Sequence, residues 1–439
     1  MDILIQAAQF ILSLSLLIIL HEFGHFIPAK LFKTKVEKFY LFFDPWFSLV
    51  KKKIGETEYG IGWLPLGGYV KIAGMVDESM DKEQLKQEPQ PWEFRVKPAW
   101  QRLIIMIGGV TVNILLAFII YAGMLMYYGE RYLPVENASY GIKVDSLAYD
   151  LGLRDGDRIL AVDGQEIDRF SAIPKEIILS ERGEIDLMRN GRRLSLNIDA
   201  KDKEAPIAQG SRLVEPLIPF VVDSILPGTP AETIGLRPGD SLVGLNDQSI
   251  YTLNEFGPAL RDFREDSVNI SFYRGSEKIT RQTYIGEDAK IGVAVRTDFL
   301  QYEFHKYGFW EAWPAGVKKS VSVLTDYIRQ FNLIFDSETG AYKQVGGFIT
   351  IGKQFDTQWN WQSFWNFTAF LSIMLAFLNI LPIPALDGGH VVFVLWEMIT
   401  GRKPSEKVLE YAQMIGFFLL LALIILANGN DILRVFTGS

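Results

Sequence analysis

Four stretches of this chain are long and apolar enough to cross a bilayer: roughly Ile3–Phe26, Leu103–Tyr128, Phe364–Leu381 and Tyr411–Ala427. A spanning helix needs about 20 mostly apolar residues. The third stretch is interrupted. It contains Asn379 and runs into Pro382 and Pro384, which cannot continue a regular helix. Broken helices at membrane depth tend to line a site or cavity. Between the first two stretches the period changes. Residues Glu58–Ile72 alternate polar and apolar and carry Gly60, Gly62, Gly67 and Gly68, a pattern that predicts a β-hairpin-like loop. Phe309–Phe335 is rich in aromatic residues and carries Lys318, Lys319 and Arg329. A helix from about Val317 would be amphipathic, lying on the outer membrane surface or packed as a linker.

The mixed-polarity region after the second apolar stretch repeats itself. Leu147–Asp163 aligns with Pro230–Asn246 at a constant offset of 83 residues. Each copy predicts a short helix, then Gly-Leu-x-x-Gly-Asp, then an apolar strand and a polar turn. Gly152 and Gly235 suit helix C-termini. The Gly156-Asp157 and Gly239-Asp240 pairs suit turns. This pattern resembles the PDZ domain, in its circularly permuted bacterial form. PDZ domains bind peptides by adding a strand to a sheet edge. The same repeats could also act as a spacer or a steric plug.

Composition supports membrane and soluble parts in one chain. Of 439 residues, 49% are hydrophobic, yet 22% are charged. The formal net charge of −8 gives nucleic-acid binding no support. There is no cysteine, so thiol catalysis, disulfides and thiolate metal ligands are excluded. The N-terminus lacks a basic leader region and a small-residue cleavage site, so it does not read as a signal peptide. Basic residues cluster after the first span (Lys30, Lys33, Lys35, Lys38, then Lys51, Lys52 and Lys53). They recur before the second (Lys97, Arg102) and between the third and fourth (Arg402, Lys403, Lys407). By the positive-inside rule these loops are cytoplasmic. Both termini and the repeats are then outside.

Two motifs carry chemistry. His21, Glu22 and His25 form H-E-x-x-H at the end of the first apolar stretch. Residues four apart share a helix face, so both imidazoles can reach one metal, with Glu22 beside them to act on its water. A bland alternative is a helix end anchored by polar residues in the head-group layer. The second motif runs from Asn379 through Leu386-Asp387-Gly388 to His390. The inferred topology carries Asp387 to the same cytoplasmic depth as His21 and His25.

These motifs, with Pro65-Leu-Gly-Gly-Tyr-Val-Lys71 and the repeats, resemble the site-2 protease family, in its bacterial regulator-of-sigma-E protease branch. The resemblance covers the whole chain. It implies a catalytic Zn2+ held by His21, His25 and Asp387, with Glu22 as general base. It implies substrate contacts from Asn379 and from the loop containing Gly67, Gly68 and Tyr69. The function implied is regulated intramembrane proteolysis of single-span membrane proteins, such as a trimmed anti-sigma factor or remnant signal peptides. The implied location is the bacterial cytoplasmic (inner) membrane, with the active site toward the cytoplasm. His390 is expected to stabilise the turn or support the ligands from behind, a direct ligand role being the alternative. The alternative role for Asn379 is an interhelical hydrogen bond. The chain departs from the family pattern at Val110, Phe348 and Met374, none of which is a ligand or the base. A membrane-anchored PDZ scaffold and a transporter are the competing classes.

The expected fold is a multi-pass α-helical membrane protein with four transmembrane helices, a membrane-associated β-hairpin loop and two α+β PDZ-like domains. The expected division is a first membrane part at 1–128, PDZ-like domains at 129–210 and 211–300, an amphipathic linker region at 301–363 and a second membrane part at 364–439.

Overall fold

A computed structural model of the chain describes residues 2–65, 67–75, 88–250, 252–296 and 298–437. It divides into two compact units. One comprises Met1–Gly129, Lys306–Asn332 and Val345–Ser439; the other comprises Glu130–His305 and Leu333–Gln344.

Among the described residues the long helices of the first unit are α1 (Asp2–Leu31), α2 (Ala99–Tyr128), α3 (Phe309–Phe335), α4 (Trp361–Ile380), α5 (Asp387–Thr400) and α6 (Glu406–Thr437). Four helical segments have the length and apolar composition to cross a membrane: Asp2–Leu31, Ala99–Tyr128, Trp361–Ile380 and Lys407–Arg434. Helix α2 is the hub, packing against α1, α4 and α5. Lipid offers no hydrophobic drive between helices, so close approach relies on small residues and polar contacts. Gly24 of α1 meets Gly108 of α2 in this way. A Cβ on either would collide with the other's carbonyl. Ser13 of α1 and Thr368 of α4 share a hydrogen bond of 2.9 Å. Leucine and isoleucine side chains such as Leu115, Ile119 and Ile425 remain exposed on the outer faces.

The third apolar stretch ends as its prolines require. Helix α4 stops at Ile380, and Leu381–Leu386 is not helical. Asp387 therefore begins a separate helix, α5, which the sequence reading did not anticipate. Ala385 sits in the left-handed region (φ 85°), a strained position for a residue with a Cβ. The Gly388-Gly389 pair lets α5 fold back on this turn. A Cβ on Gly389 would come within 2.6 Å of the Ile383 carbonyl oxygen.

The β segment needs correction. Glu58–Ile72 does not form a hairpin with itself. Strands β1 (Val36–Leu41), β2 (Val50–Ile54), β3 (Thr57–Ile61) and β4 (Tyr69–Ile72) make a sheet ordered β2-β3-β1-β4. β1 inserts between β3 and β4, parallel to the former (Lys38↔Glu58) and antiparallel to the latter (Tyr40↔Tyr69). The true hairpin joins β2 to β3, with Ile54 opposite Thr57. The connection 62–68 is too long for a tight turn. It is held open by pairing with the continuation of β1, where Leu64 and Phe43 exchange backbone hydrogen bonds of 3.1 and 3.2 Å. Among the described residues this leaves β4 as an edge strand.

The second unit contains two similar sheets. Arg158–Val162, Gln165–Glu166, Glu184–Arg189 and Arg192–Asn197 form one; Ser241–Leu245, Gln248–Ser249, Asp266–Arg274 and Glu277–Ile285 form the other. Each is packed over its own apolar core, around Ile159, Ile173 and Leu187 in the first and Leu242, Phe256 and Ile270 in the second. The repeat extends to atoms. Buried Asp157 is gripped by Arg189 through Nε (2.7 Å) and Nη2 (2.6 Å). Buried Asp240 is gripped by Arg274 at 2.9 and 2.8 Å. Each carboxylate also accepts the backbone N–H three residues upstream, from Arg154 and Arg237. Satisfying both oxygens is what permits an ionised group in an apolar core.

Candidate metal centre

The C-terminal half of α1 presents His21 and His25 on one face, as four-residue spacing dictates. Helix α5 brings Asp387 to them from the far end of the chain. The Asp387 Oδ2 atom lies 3.2 Å from His21 Nε2 and 3.3 Å from His25 Nε2. The two Nε2 atoms are 3.2 Å apart. All three donor atoms lie within 4.8 Å of one another. No other group of three His, Asp or Glu side chains meets this geometry among the described residues.

The chemistry of the donors fits a metal ion. His25 Nδ1 lies 2.8 Å from the Ile105 carbonyl oxygen. A carbonyl only accepts, so Nδ1 carries a proton, which leaves Nε2, facing Asp387, as the nitrogen that would bind a metal through its lone pair. Asp387 Oδ2 is buried without a hydrogen-bond partner among the described residues. It faces two imidazole nitrogens at 3.2 and 3.3 Å, so it needs positive charge there, from a proton on an imidazole or from a metal ion. Two imidazoles and one carboxylate leave a fourth position open, the ligand count of catalytic rather than structural zinc sites.

Helix α2 walls the centre and comes unusually close. A Cβ on Gly109 would fall against the His25 ring and lie 2.7 Å from His21 Nε2. Asn113, one turn further on, places its side-chain nitrogen 3.2 Å from His21 Nδ1. The sequence alone assigns neither Gly109 nor Asn113 a place at the centre.

Glu22 lies on the same helix as the imidazoles and is half-buried. The loop before β4 passes directly over it. A Cβ on Gly68 would meet the Ile18 side chain and lie 3.5 Å from Glu22 Cγ. Gly67 is packed as closely on the Phe43 ring. The Tyr69 phenol is engaged elsewhere. Its hydroxyl donates to Asp44 Oδ1 at 2.9 Å, and its ring stacks on Tyr40 and Phe43. Burial, then the hydrogen bond to Asp44 and that carboxylate's charge, push the phenol pKa well up. Tyr69 can thus offer its backbone but not its hydroxyl. Asn379 sits in the last turn of α4, and no hydrogen bond ties it to the three donors among the described residues. His390 lies one turn into α5 and is not among the clustered donors.

Two imidazoles and a carboxylate converging beside a glutamate, within a bundle of bilayer-length apolar helices, define a membrane-embedded peptidase of the metal-dependent kind. The sequence pattern of peptidase family M50 matches residues 9–423, and the chain belongs to that family. It is 30% identical over 98% of both chains to a protein of Rickettsia conorii named "Putative zinc metalloprotease". It is 28% identical to the "Regulator of sigma E protease" of Haemophilus influenzae, across 99% of this chain and 100% of that one.

Proposed function

We propose that the protein is an intramembrane zinc metalloprotease. Its substrates would be single-span membrane proteins, such as a trimmed anti-sigma factor or remnant signal peptides. The observation that carries this reading is the convergence of His21, His25 and Asp387 within 4.8 Å. In it these three residues hold Zn2+ and Glu22 is the base. The resemblance to the Haemophilus protease, which extends over the whole length, supports the substrate class.

Zinc held by these residues would supply Lewis acidity to a carbonyl and to a water. Glu22 would act as the base that takes a proton from water on a carboxylate oxygen and delivers it to the leaving amide nitrogen. Asp387 and the two imidazoles hold position, and the glycine-lined approach of α2 excludes water from behind. A protease needs an extended peptide, whereas a membrane segment arrives helical. The free edge of β4, beside Gly67 and Gly68, could pair with an unwound substrate backbone whose amides would otherwise be unsatisfied in lipid. Asn379 would contact the substrate backbone.

The proposed setting is the bacterial cytoplasmic membrane, with both termini and the repeats outside and the metal toward the cytoplasm. The repeats are proposed as PDZ-like domains, at 129–210 and 211–300, that filter substrates by size or sense a new C-terminus. The test compares wild type with Glu22→Gln against candidate single-span substrates in cells, with zinc measured in both purified proteins. We expect a loss of about 10²–10⁴ in rate with zinc retained, since Glu22 is a base and not a ligand. Near-normal turnover in the variant, or no zinc in the wild type, refutes the reading.

A further inference from the structure

We infer that Asn113 is a positioning residue for the metal. It holds His21 in the tautomer whose Nε2 is free to bind. The inference rests on the reading of His21 as a ligand.

Each imidazole needs its proton on Nδ1 if Nε2 is to donate a lone pair. For His25 the Ile105 carbonyl enforces this. For His21, among the described residues, the group within hydrogen-bond distance of Nδ1 is the Asn113 side chain, at 3.2 Å. Asn113 is completely buried, so bulk water cannot do the work instead. As placed, its nitrogen faces Nδ1, and its Oδ1 is buried with no hydrogen-bond partner among the described residues. A carboxamide has one donor end and one acceptor end of nearly equal size. A half-turn of the group brings Oδ1 to His21. It then accepts the Nδ1–H, and the orphaned oxygen gains a donor. The amide nitrogen then takes the oxygen's former place, and what the rotation supplies is the acceptor that the Nδ1–H tautomer of His21 requires.

The scaffold around Asn113 is suited to holding it. Its backbone oxygen accepts a 2.7 Å hydrogen bond from Ser372 Oγ, and Ser372 is itself fully buried on α4. Helix α2 therefore supplies an orienting acceptor to each imidazole, the Ile105 carbonyl to His25 and the Asn113 carboxamide to His21. Such partners behind a metal ligand raise its basicity and fix its ring, and their loss typically costs about 10–100-fold in metal affinity. Without the acceptor, in a dry interior, the His21 proton is free to shift to Nε2 and block the metal.

The test measures zinc affinity of the full-length protein in detergent, by competition with a chromophoric chelator. Asn113→Leu keeps the shape and removes the acceptor. Asn113→Asp keeps an acceptor at the same place. We expect the zinc dissociation constant to rise about 10–100-fold in the leucine variant and to stay near the parent's in the aspartate variant. In a His21→Ala background, Asn113→Leu should cause no further loss, because the two residues act as one unit. Parent-like affinity in Asn113→Leu overturns the inference. So do equal losses in both variants, which would mean a packing role, or an additive loss beside His21→Ala. If His21→Ala alone leaves zinc affinity unchanged, the ligand assignment fails first, and this is distinguishable from an Asn113 that does nothing to a working site.

Discussion

Arg102 donates through Nη2 to Glu397 Oε1 at 2.5 Å, joining the start of α2 to the body of α5. Both side chains are largely buried, and Arg102 also donates through Nε to the Lys97 carbonyl at 3.0 Å. The pair ties the helix that begins with Asp387 to the helix that walls the imidazoles. Removing one partner of such a pair leaves an uncompensated buried charge, at a cost of about 3–5 kcal/mol. We expect Glu397→Ala to lower the melting temperature and the zinc content together. Replacing both residues by leucine should recover most of the melting temperature. A Glu397→Ala protein as stable as wild type would show that the pair contributes nothing.

Gly109 permits the closest approach at the centre. Alanine there would press its methyl group against His25 and His21. Displacing reacting groups by about 1 Å can cost on the order of 10²-fold in rate. We expect Gly109→Ala to lose at least that much activity and to bind zinc more weakly. Gly123, on the same helix, has open space where a Cβ would stand, so Gly123→Ala is the matched control and should behave as wild type. Equal behaviour of the two variants in a peptide-cleavage assay would remove steric closeness as the explanation.

Removing a donor should remove metal. Asp387→Ala, His21→Ala and His25→Ala each delete one of three proposed ligands, and each should lower zinc per mole of purified protein. The check is elemental analysis after dialysis. Full zinc in Asp387→Ala would move the third ligand elsewhere, with His390, one turn further along α5, the first residue to try.

The two lobes of the second unit should fail separately. Asp157 and Asp240 are each buried and each held by their own arginine. Asp157→Ala should speed amide hydrogen exchange in the first sheet, and Asp240→Ala in the second. Neither should change zinc content, because all three donors belong to the other compact unit. Exchange that spreads equally through both sheets would mean the lobes unfold as one.

Deleting Asn137–Gly286 separates three roles for the repeats. As a size filter, their loss lets the enzyme cut substrates whose outer domain is still intact. As a recruiter, their loss also abolishes cleavage of trimmed substrates. As a spacer, it changes neither. Both substrate forms, assayed side by side in cells, decide among them, and unchanged selectivity counts against the filter.

The local part of this protein is written in its sequence. Helical spacing alone puts His21 and His25 on one face, because a helix fixes the geometry of residues four apart. Uninterrupted apolar runs give the spanning helices, since only a hydrogen-bonded helix satisfies a backbone in lipid. Pro382 and Pro384 announce the end of α4. The constant offset between Asp157 and Asp240 announces two like lobes. What the sequence could not settle is whatever depends on which segments meet. His21 and His25 gain a third candidate donor only because Asp387 arrives from 366 residues away. Strand β1 enters between β3 and β4 because a seven-residue connection is too long to close a tight turn, and alternation says nothing about pairing order. Arg189 and Arg274 escape the repeat alignment because their spacings to Asp157 and Asp240 differ. Gly24, Gly108, Gly109 and Asn113 read as ordinary residues of apolar helices. Their value lies in the distance between two helix axes, and helix–helix contact is set by packing that no single helix contains.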